Sequence, residues 1–407
     1  MRKILLAILC LFIVSCGGRF DLRVHMKPQM TTTTPVIVRA PATPTPVPAP
    51  TSTVTLVTPT VTPTAQPFVL VSIQMDDIRY GWGVAASGRT VKTDNAGVSW
   101  HDTTPTDEEV GQYGLFSLNF ASVWVVPTQL ETSGVVWRTS NAGTSWQRSQ
   151  PLPLNDGTSY TPIRIQFADA NYGWLLVLAQ DGEGDHVLLY SSNNGGADWV
   201  QASIQDSLVR FLPSDTTSMV FIDADRGWLG GGWAQKEPPE WLMLKTGDGG
   251  EGWGTDTFRL PEKKDIQCDG HAIEHMKPGA MAVEVICTIP KDAKYLYHHI
   301  YYLSESTGPV WRSWAIPGKF LSMDFLNDHH GWMMVASDDP QANRILYTRD
   351  GGETWKVVSR VAWRDAQLDF ITEKIGWAVT GKGFAAALYR TEDGGKNWIQ
   401  VRPAVWP

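Results

Sequence analysis

The chain has 407 residues, of which 43% are hydrophobic and 19% charged, so it holds enough apolar side chains for a large core or several small ones. Its formal net charge is −8, and no basic stripe runs along it, which argues against nucleic acid as a partner. Two of the four cysteines lie near the N-terminus and two in the body of the chain, so the two sets are interpreted separately.

Residues 1–15 have the pattern of an export signal. A basic start precedes an apolar run over residues 4–14, which is short for a membrane-spanning helix and typical of a signal peptide. The run ends in Ser15-Cys16-Gly17, which resembles a bacterial lipobox, in which Cys16 would be diacylated and become the mature N-terminus. A plain signal peptide is the alternative. We expect an exported protein, anchored by this lipid to the outer face of the cell membrane or to the outer membrane.

Residues 16–67 form the expected lipidated N-terminus and a stalk. From residue 27 onwards the segment is mostly Thr, Pro, Val and Ala, with Lys27 and Arg39 as its only charges. Such a composition cannot bury a core, and its prolines favour extended polyproline II. We therefore predict a disordered stalk that holds the body away from the membrane.

The body, residues 68–407, is built on a repeated octapeptide of the form [S/T]-x-[D/N]-x-G-x-x-W. TRDGGETW at Thr348 to Trp355 is one of seven copies, and the copy that ends at Trp311 has Ser306 in place of the acid. Successive final tryptophans are 46, 53, 54, 58, 44 and 43 residues apart. Periods of this length are typical of propellers, solenoids and arrays.

A second motif precedes most copies of the octapeptide. It has the form F-x-[D/N/T]-x-x-x-G-W followed by apolar residues, as in FADANYGWLLV from Phe167 to Val177. In that repeat we predict four short strands, at residues 163–167, 173–179, 186–191 and 199–203. Four antiparallel strands per repeat make one blade, so the sequence predicts an all-β, seven-bladed β-propeller with almost no helix.

The octapeptide residues suit a hairpin turn. Asn or Asp at the third position can accept hydrogen bonds from the turn's own backbone, and glycine at the fifth permits a positive φ. The final tryptophan can bury a large apolar face under the hairpin. We therefore interpret as structural the residues at the third and eighth positions: Asn95, Asn141, Asn194, Asp248, Asp350, Asp393, Trp100, Trp146, Trp199, Trp253, Trp311, Trp355 and Trp398.

These residues at this spacing resemble the Asp-box, or BNR repeat, which occurs in sialidases, sortilin-type receptors, xyloglucan-cleaving glycosidases and photosystem II assembly and stability factors. The two motifs together look most like the last family, over nearly all of residues 68–407. That resemblance implies a non-catalytic binding or assembly scaffold with a membrane-protein partner. It does not imply a photosynthetic role for this chain.

Enzymatic readings find less support in the residues. A sialidase would need three converging arginines with a Tyr–Glu pair, and Arg164, on a predicted inner strand, has no partners with matching placement. P-loop, GxSxG and HExxH patterns do not occur in the sequence. We therefore predict no enzyme, no cofactor and no metal. A cell-surface glycan-binding or glycoside-hydrolysing propeller of the sialidase type is the alternative.

Cys268 and Cys287 lie in the degenerate fifth repeat. With His271 and His275 they form a C-x2-H-x3-H-x11-C set, so a zinc site is one interpretation. In an exported protein we favour a disulfide between these two cysteines.

The loops opposite the repeated turns vary in length, and such insertions often mark a binding face. We predict an acidic recognition face there for a protein, or alternatively a glycan, and we expect the protein to be a monomer. The candidate residues are Asp107, Glu108, Glu109, Asp181, Glu183, Trp233 and Trp241. Ordinary polar loops, ordinary packing of the two tryptophans, and a calcium loop or a solvated hairpin tip at residues 181–185 are the other interpretations.

Overall fold

The computed structural model describes residues 66–130, 134–205, 217–230, 240–259, 267–276, 280–288, 296–304, 312–315, 319–327 and 329–406. For residues 66–67, 240–242, 257–315 and 405–406 it describes the backbone alone. All of them belong to one unit of the chain, Val61–Pro407. The export signal, Cys16 and the stalk up to residue 65 lie outside the described residues.

The described residues form seven β-sheets that follow one another along the chain. The strands of the first three sheets are β1 (Gln66–Pro67), β2 (Leu70–Met75), β3 (Gly81–Ala85), β4 (Thr90–Thr93), β5 (Ser99–Asp102), β6 (Val110–Asn119), β7 (Ser122–Pro127), β8 (Trp137–Thr139), β9 (Gln147–Arg148), β10 (Ser159–Phe167), β11 (Gly173–Asp181), β12 (Gly184–Ser192) and β13 (Val200–Gln201).

The remaining strands are β14 (Ser218–Phe221), β15 (Gly227–Gly230), β16 (Glu240–Thr246), β17 (Gly254–Arg259), β18 (Gln267–Met276), β19 (Ala280–Thr288), β20 (Leu296–Ser304), β21 (Arg312–Ala315), β22 (Phe320–Phe325), β23 (Gly331–Val335), β24 (Asn343–Thr348), β25 (Lys356–Val361), β26 (Ala366–Phe370), β27 (Gly376–Thr380), β28 (Ala387–Thr391), β29 (Ile399–Val401) and β30 (Ala404–Trp406). The helical element among the described residues is a single 3-10 turn, Gly383–Ala385.

Six sheets are four-stranded antiparallel meanders, as the repeat predicts. In the third sheet the first three strands are longer than expected and the fourth is shorter. The first sheet differs, because β30 lies parallel to β5 and β1 pairs antiparallel with β30. The C-terminal strand therefore extends the first sheet at its outer edge, and this sheet begins at Gln66, two residues before the expected start of the body.

The glycine before the motif tryptophan makes room for the phenylalanine of the same motif. A Cβ built on Gly173 would lie 2.5 Å from Cζ of Phe167, and Gly227, Gly331 and Gly376 stand in the same relation to their phenylalanines. The Phe167 ring stacks on Trp124 of the second sheet at 3.7 Å. It also meets Trp199 of its own turn edge-on at 5.8 Å. One aromatic ring thus joins two motifs and two sheets.

In the second, third, sixth and seventh sheets, the tryptophan of the second motif donates to the octapeptide turn of the following sheet. Nε1 of Trp124 donates to the carbonyl of Gly195 at 2.8 Å, and Trp174 donates to Gly249 at 2.7 Å. In both cases the acceptor is the fourth residue of the octapeptide in the following sheet. Between the first and second sheets, Lys92 makes the equivalent bond, from Nζ to the carbonyl of Ala142.

The seventh sheet is bonded to the first in the same way. Nε1 of Trp377 donates to the carbonyl of Ala96 at 3.1 Å. The Gln367 side chain exchanges two hydrogen bonds with the backbone of Ile73. These contacts join strands at opposite ends of the described sequence.

The core lies between neighbouring sheets. One apolar cluster contains Trp124 and Val126 of the second sheet together with Tyr160, Val177 and other residues of the third. Apolar clusters lie on both sides of the first, second, third and seventh sheets, which explains the uninterrupted apolar runs such as those of β7 and β11. No helix within the described residues is long and apolar enough to cross a membrane.

Candidate binding face

An antiparallel meander places its connections at two ends. The turns between first and second strands and the octapeptide turns share one end, here called the turn face. The loops between second and third strands and the links from sheet to sheet share the other end, here called the loop face. In the six sheets whose octapeptide turns are described, a backbone bond ties the two turns together, for example from Gly195 N to the carbonyl of Asn171 at 2.8 Å.

On the turn face the side chains of the octapeptide stabilise the turn itself. Thr348 Oγ1 donates to Asp350 Oδ1 and accepts from the backbone N of Gly352. Asp350 also accepts from the N and the hydroxyl of Thr354, and these hydrogen bonds lower the pKa of the Asp350 carboxyl to about 2. The carboxylate is thus already satisfied by its own turn.

The same bonds recur in five other turns. In each, the side-chain Oδ1 of the third residue accepts from the backbone N–H of the seventh at 2.8 to 3.0 Å. The accepting residues are Asn95, Asn141, Asn194, Asp248 and Asp393. The fourth and fifth residues have positive φ, including the non-glycine Ala96 and Ala142. Trp100, Trp199 and Trp253 are buried, whereas Trp146, Trp355 and Trp398 are half-buried. Trp311 lies outside the described residues.

On the loop face the acidic segment at residues 107–109 is held at both ends. Asp102, where the link from the first sheet begins, pairs with Arg89 at 2.9 Å. Burial alone would raise the pKa of Asp102, but hydrogen bonds from Thr104 and Arg89, with the Arg89 charge, hold it below its ordinary value. At the other end, the carbonyl of Glu109 accepts from Thr128 N at 2.8 Å.

The acids of this link differ in exposure. Asp107 and Glu109 are exposed and Glu108 is half-buried. Because the link is fixed to both the first and the second sheet, it presents its two exposed carboxylates at a defined place.

Asp181 and Glu183 lie at the tip of the hairpin between β11 and β12, and both are exposed. Asp181 Oδ1 accepts from Glu183 N at 2.9 Å, and His186 Nε2 lies 3.7 Å from Asp181 Oδ2. These bonds are local to the third sheet. The two acidic groups therefore share the loop face but stand on different connections.

Two further candidates have no described side chain. Trp233 lies outside the described residues, and Trp241 is placed on β16 by its backbone alone. Cys268 and Cys287 are directly opposed residues of β18 and β19, and the disulfide remains a prediction.

The inner strands use their polar side chains between sheets. Asp369 Oδ2 accepts from Met75 N at 2.6 Å, and Asp324 accepts from Phe370 N. Gln166 exchanges two hydrogen bonds with Phe221, and Arg164 donates to Ser218 Oγ at 3.3 Å. These groups bond to the neighbouring sheet. Among the residues whose side chains are described, no group of three or more His, Cys, Asp or Glu is placed to hold a metal ion.

Two exposed aromatic residues on loop-face segments escaped prediction. Tyr113, 61% exposed, follows the acidic link on β6, where the pairing with β7 is irregular between Val110 and Leu115. Phe384, 78% exposed, lies in the 3-10 turn Gly383–Ala385 of the seventh sheet. Gly381 and Gly383, which flank Lys382 just before Phe384, were a usable turn signal for Phe384, whereas the β6 irregularity left none for Tyr113.

No model of a known protein family matches the sequence, and no curated protein sequence matches it. Solved structures do match. YCF48 bound to D1 peptide is 15% identical with a TM-score of 0.50, over 81% of this chain and 96% of that one. YCF48 from Cyanidioschyzon merolae is 17% identical with a TM-score of 0.50, over 81% and 97%.

A GH74 enzyme from Niastella koreensis is 13% identical with a TM-score of 0.54, over 85% of this chain and 54% of the enzyme. The chain thus spans about half the length of that relative. At such identities the likeness shows the fold alone, and it supports a β-propeller.

Proposed function

We propose that this protein is an exported, lipid-anchored, seven-bladed Asp-box propeller that acts as a non-catalytic binding scaffold for a protein partner. Cys16 is the anchor, residues 16–67 are the stalk, and the loop face carries the binding site. The hydrogen bonds from Trp377 and Gln367 to the first sheet support a ring of seven blades.

One observation carries the assignment of the binding site. Asp107 and Glu109 are exposed on a link that is hydrogen-bonded to two sheets, and Tyr113 is exposed four residues further on, in β6. A segment fixed to the fold loses little conformational freedom on binding, and exposed carboxylates close in sequence to an exposed aromatic residue suit a basic protein segment. By contrast, the carboxylates of the octapeptide turns and of Asp369 are bonded within the fold.

The partner is sought by crosslinking in the native membrane, followed by mass spectrometry. Reversing Asp107, Glu108 and Glu109 to Lys is expected to weaken its capture at least tenfold. The matched control reverses three acids of the turn face, Asp94, Asp225 and Glu251, for the same change in net charge. Equal capture by both triple variants contradicts the proposal.

The enzymatic alternative has its own assay. The purified protein is tested on glycan arrays and on fluorogenic glycosides. Turnover of a glycoside, or saturable binding of a glycan that survives the triple reversal at residues 107–109, would replace the scaffold proposal. The anchor is tested separately, because Cys16→Ser is expected to release the protein from the membrane fraction.

A further inference from the structure

Asp or Asn stands directly before glycine at seven places in the chain. Such pairs are the most prone to form a succinimide ring, because the backbone N of the glycine attacks the side-chain carbonyl carbon with no Cβ in its way. Four of the pairs are the third and fourth residues of octapeptide turns, and they begin at Asn194, Asp248, Asp350 and Asp393. The other three begin at Asp156, Asp181 and Asp269.

In the four octapeptide turns the attacking atom is already engaged. The glycine N–H donates to a backbone carbonyl group of the turn between the first and second strands, at 2.8 to 3.0 Å. The donors are Gly195, Gly249, Gly351 and Gly394, and the acceptors are Asn171, Asp225, His329 and Lys374. The glycine N is therefore released only when the two turns of a sheet separate.

The side chain under attack is held in the same turns. Asn194 Oδ1 accepts from the backbone N of Asp198 at 3.0 Å, and Asn194 Nδ2 donates to the Asp198 carboxylate at 2.8 Å. The carboxylates of Asp248, Asp350 and Asp393 accept from the corresponding backbone N at 2.8 to 2.9 Å. Both reacting groups of each pair thus have to leave hydrogen bonds of the fold before they can meet.

The pair Asp156-Gly157 is different. It lies on the loop face, at the tip of the link between the second and third sheets, and both residues are exposed. Within the part of the chain that the structure describes, neither the Asp156 carboxylate nor the Gly157 N–H has a hydrogen-bond partner. The link is held just before the tip, where Asn155 N donates to the Tyr160 hydroxyl at 2.8 Å. The two reacting groups can therefore meet without any hydrogen bond of the fold being broken.

The pair Asp181-Gly182 is intermediate between these two cases. It is exposed at the tip of the hairpin between β11 and β12, and the Gly182 N–H has no partner among the described residues. The Asp181 carboxylate, however, accepts from Glu183 N at 2.9 Å. One of the two reacting groups is held, so this pair should react more slowly than Asp156-Gly157. For the last pair, which begins at Asp269, the backbone alone is described.

We propose that Asp156-Gly157 is the site at which the folded protein forms isoaspartate, whereas the octapeptide turns are protected from this reaction. The Gly157 N bonds to Cγ of Asp156, one water leaves, and the succinimide ring closes. Hydrolysis then takes up one water. Opening at the side-chain carbonyl restores aspartate, and opening at the backbone carbonyl gives isoaspartate, which lengthens the main chain by one methylene group. The reaction does not depend on the proposed binding function.

The test incubates the wild-type chain at neutral pH, folded in one sample and unfolded in guanidinium chloride in the other. Peptide mapping by mass spectrometry follows each pair. In the unfolded chain Asn194-Gly195 should react first, because ammonia leaves a side-chain amide more readily than water leaves a carboxylate. In the folded chain isoaspartate should form at Asp156 about tenfold or more faster than at any octapeptide pair.

Asp156→Glu is the matched control, because it keeps the charge but would have to close a six-membered ring, which forms far more slowly. It is expected to remove the modification from this peptide and to leave the rate at Asp181 unchanged. Circular dichroism verifies that the folded sample stays folded during the incubation. The proposal is overturned if an octapeptide pair or Asp181 reacts as fast as Asp156 in the folded chain. It is overturned equally if Asp156 stays unmodified there while it reacts in the unfolded chain.

Discussion

Nε1 of Trp377 donates to the carbonyl of Ala96 at 3.1 Å, across 281 residues of sequence. Trp174 makes the corresponding bond to Gly249 in the next sheet along the chain. The bond between the seventh and first sheets therefore has the form of a bond between consecutive sheets.

Replacing the indole donor tests whether these two contacts are energetically equal. Trp377→Phe and Trp174→Phe should each lower the free energy of unfolding by about 0.5–1.5 kcal/mol through the lost hydrogen bond, in addition to the loss of ring volume. Trp199→Phe is the volume control, because Nε1 of Trp199 is buried without a hydrogen-bond partner. Urea denaturation gives the three values. If Trp377→Phe costs no more than Trp199→Phe, the contact to Ala96 contributes nothing.

Gly173→Ala should destabilise the protein by about 1–3 kcal/mol, because the new Cβ collides with a ring that is already packed on both sides. The Phe167 ring cannot move away, since it lies between Trp124 and Trp199. Gly182→Ala is the control at the exposed hairpin tip, where a Cβ meets nothing within 4 Å. Equal unfolding free energies for the two variants would contradict this account.

Asp350 should make stability depend on pH in the acid range. Hydrogen bonds from Thr354 lower its pKa to about 2, below the value of about 4 in the unfolded chain. Its contribution is therefore complete above about pH 4 and is lost as the pH falls towards 2. Asp350→Asn keeps the acceptor and should flatten the dependence of the unfolding free energy on pH in that window.

The reverse substitution supplies the control for this prediction. Asn95 occupies the same turn position in the first sheet, where its Oδ1 accepts from Ser99 N at 2.9 Å. Asn95→Asp should add a dependence of the same sign between pH 4 and 2. An unchanged slope in both variants, measured by acid unfolding, would count against the prediction.

Val405→Pro should destabilise the first sheet by about 3 kcal/mol. Val405 pairs with Trp100 of β5 on one side and with Gln66 of β1 on the other, so its backbone N–H faces a neighbouring strand whichever way it points. Proline has no N–H to donate to that strand. Val405→Ala retains the N–H and isolates the side-chain contribution. Thermal unfolding of the two variants compares them, and equal midpoints would show that β30 adds no stability.

The local structure was predictable because its causes are local. The turn from Thr348 to Trp355 and the strands of the third repeat follow from residues that bond within a few positions of each other. The all-β class and the four-stranded meander were predicted from the same repeat, and both are confirmed. The count of seven blades remains part of the proposal.

Features that depend on distant backbone were not predictable. The acceptor of Trp377 is a backbone carbonyl group, which every residue carries. The sequence therefore does not identify Ala96 as the hydrogen-bond partner. The three residues of β30 are too few to show an alternating strand pattern, and their parallel pairing with β5 depends on the whole chain being folded. Of the candidate site, Asp107 and Glu109 are exposed and their role in binding stays a prediction, whereas Tyr113 was missed because β6 pairs irregularly at that point.

The backbone acceptor at the fourth turn position also determines how far such a sequence can diverge. In the second, third, sixth and seventh sheets, this contact is specified by one tryptophan donor, and the receiving repeat contributes a backbone carbonyl group that no substitution removes. The second repeat has lost the motif glycine, yet Trp124 still reaches Gly195. A change of side chain at the fourth turn position therefore leaves the acceptor of the neighbouring sheet's tryptophan in place.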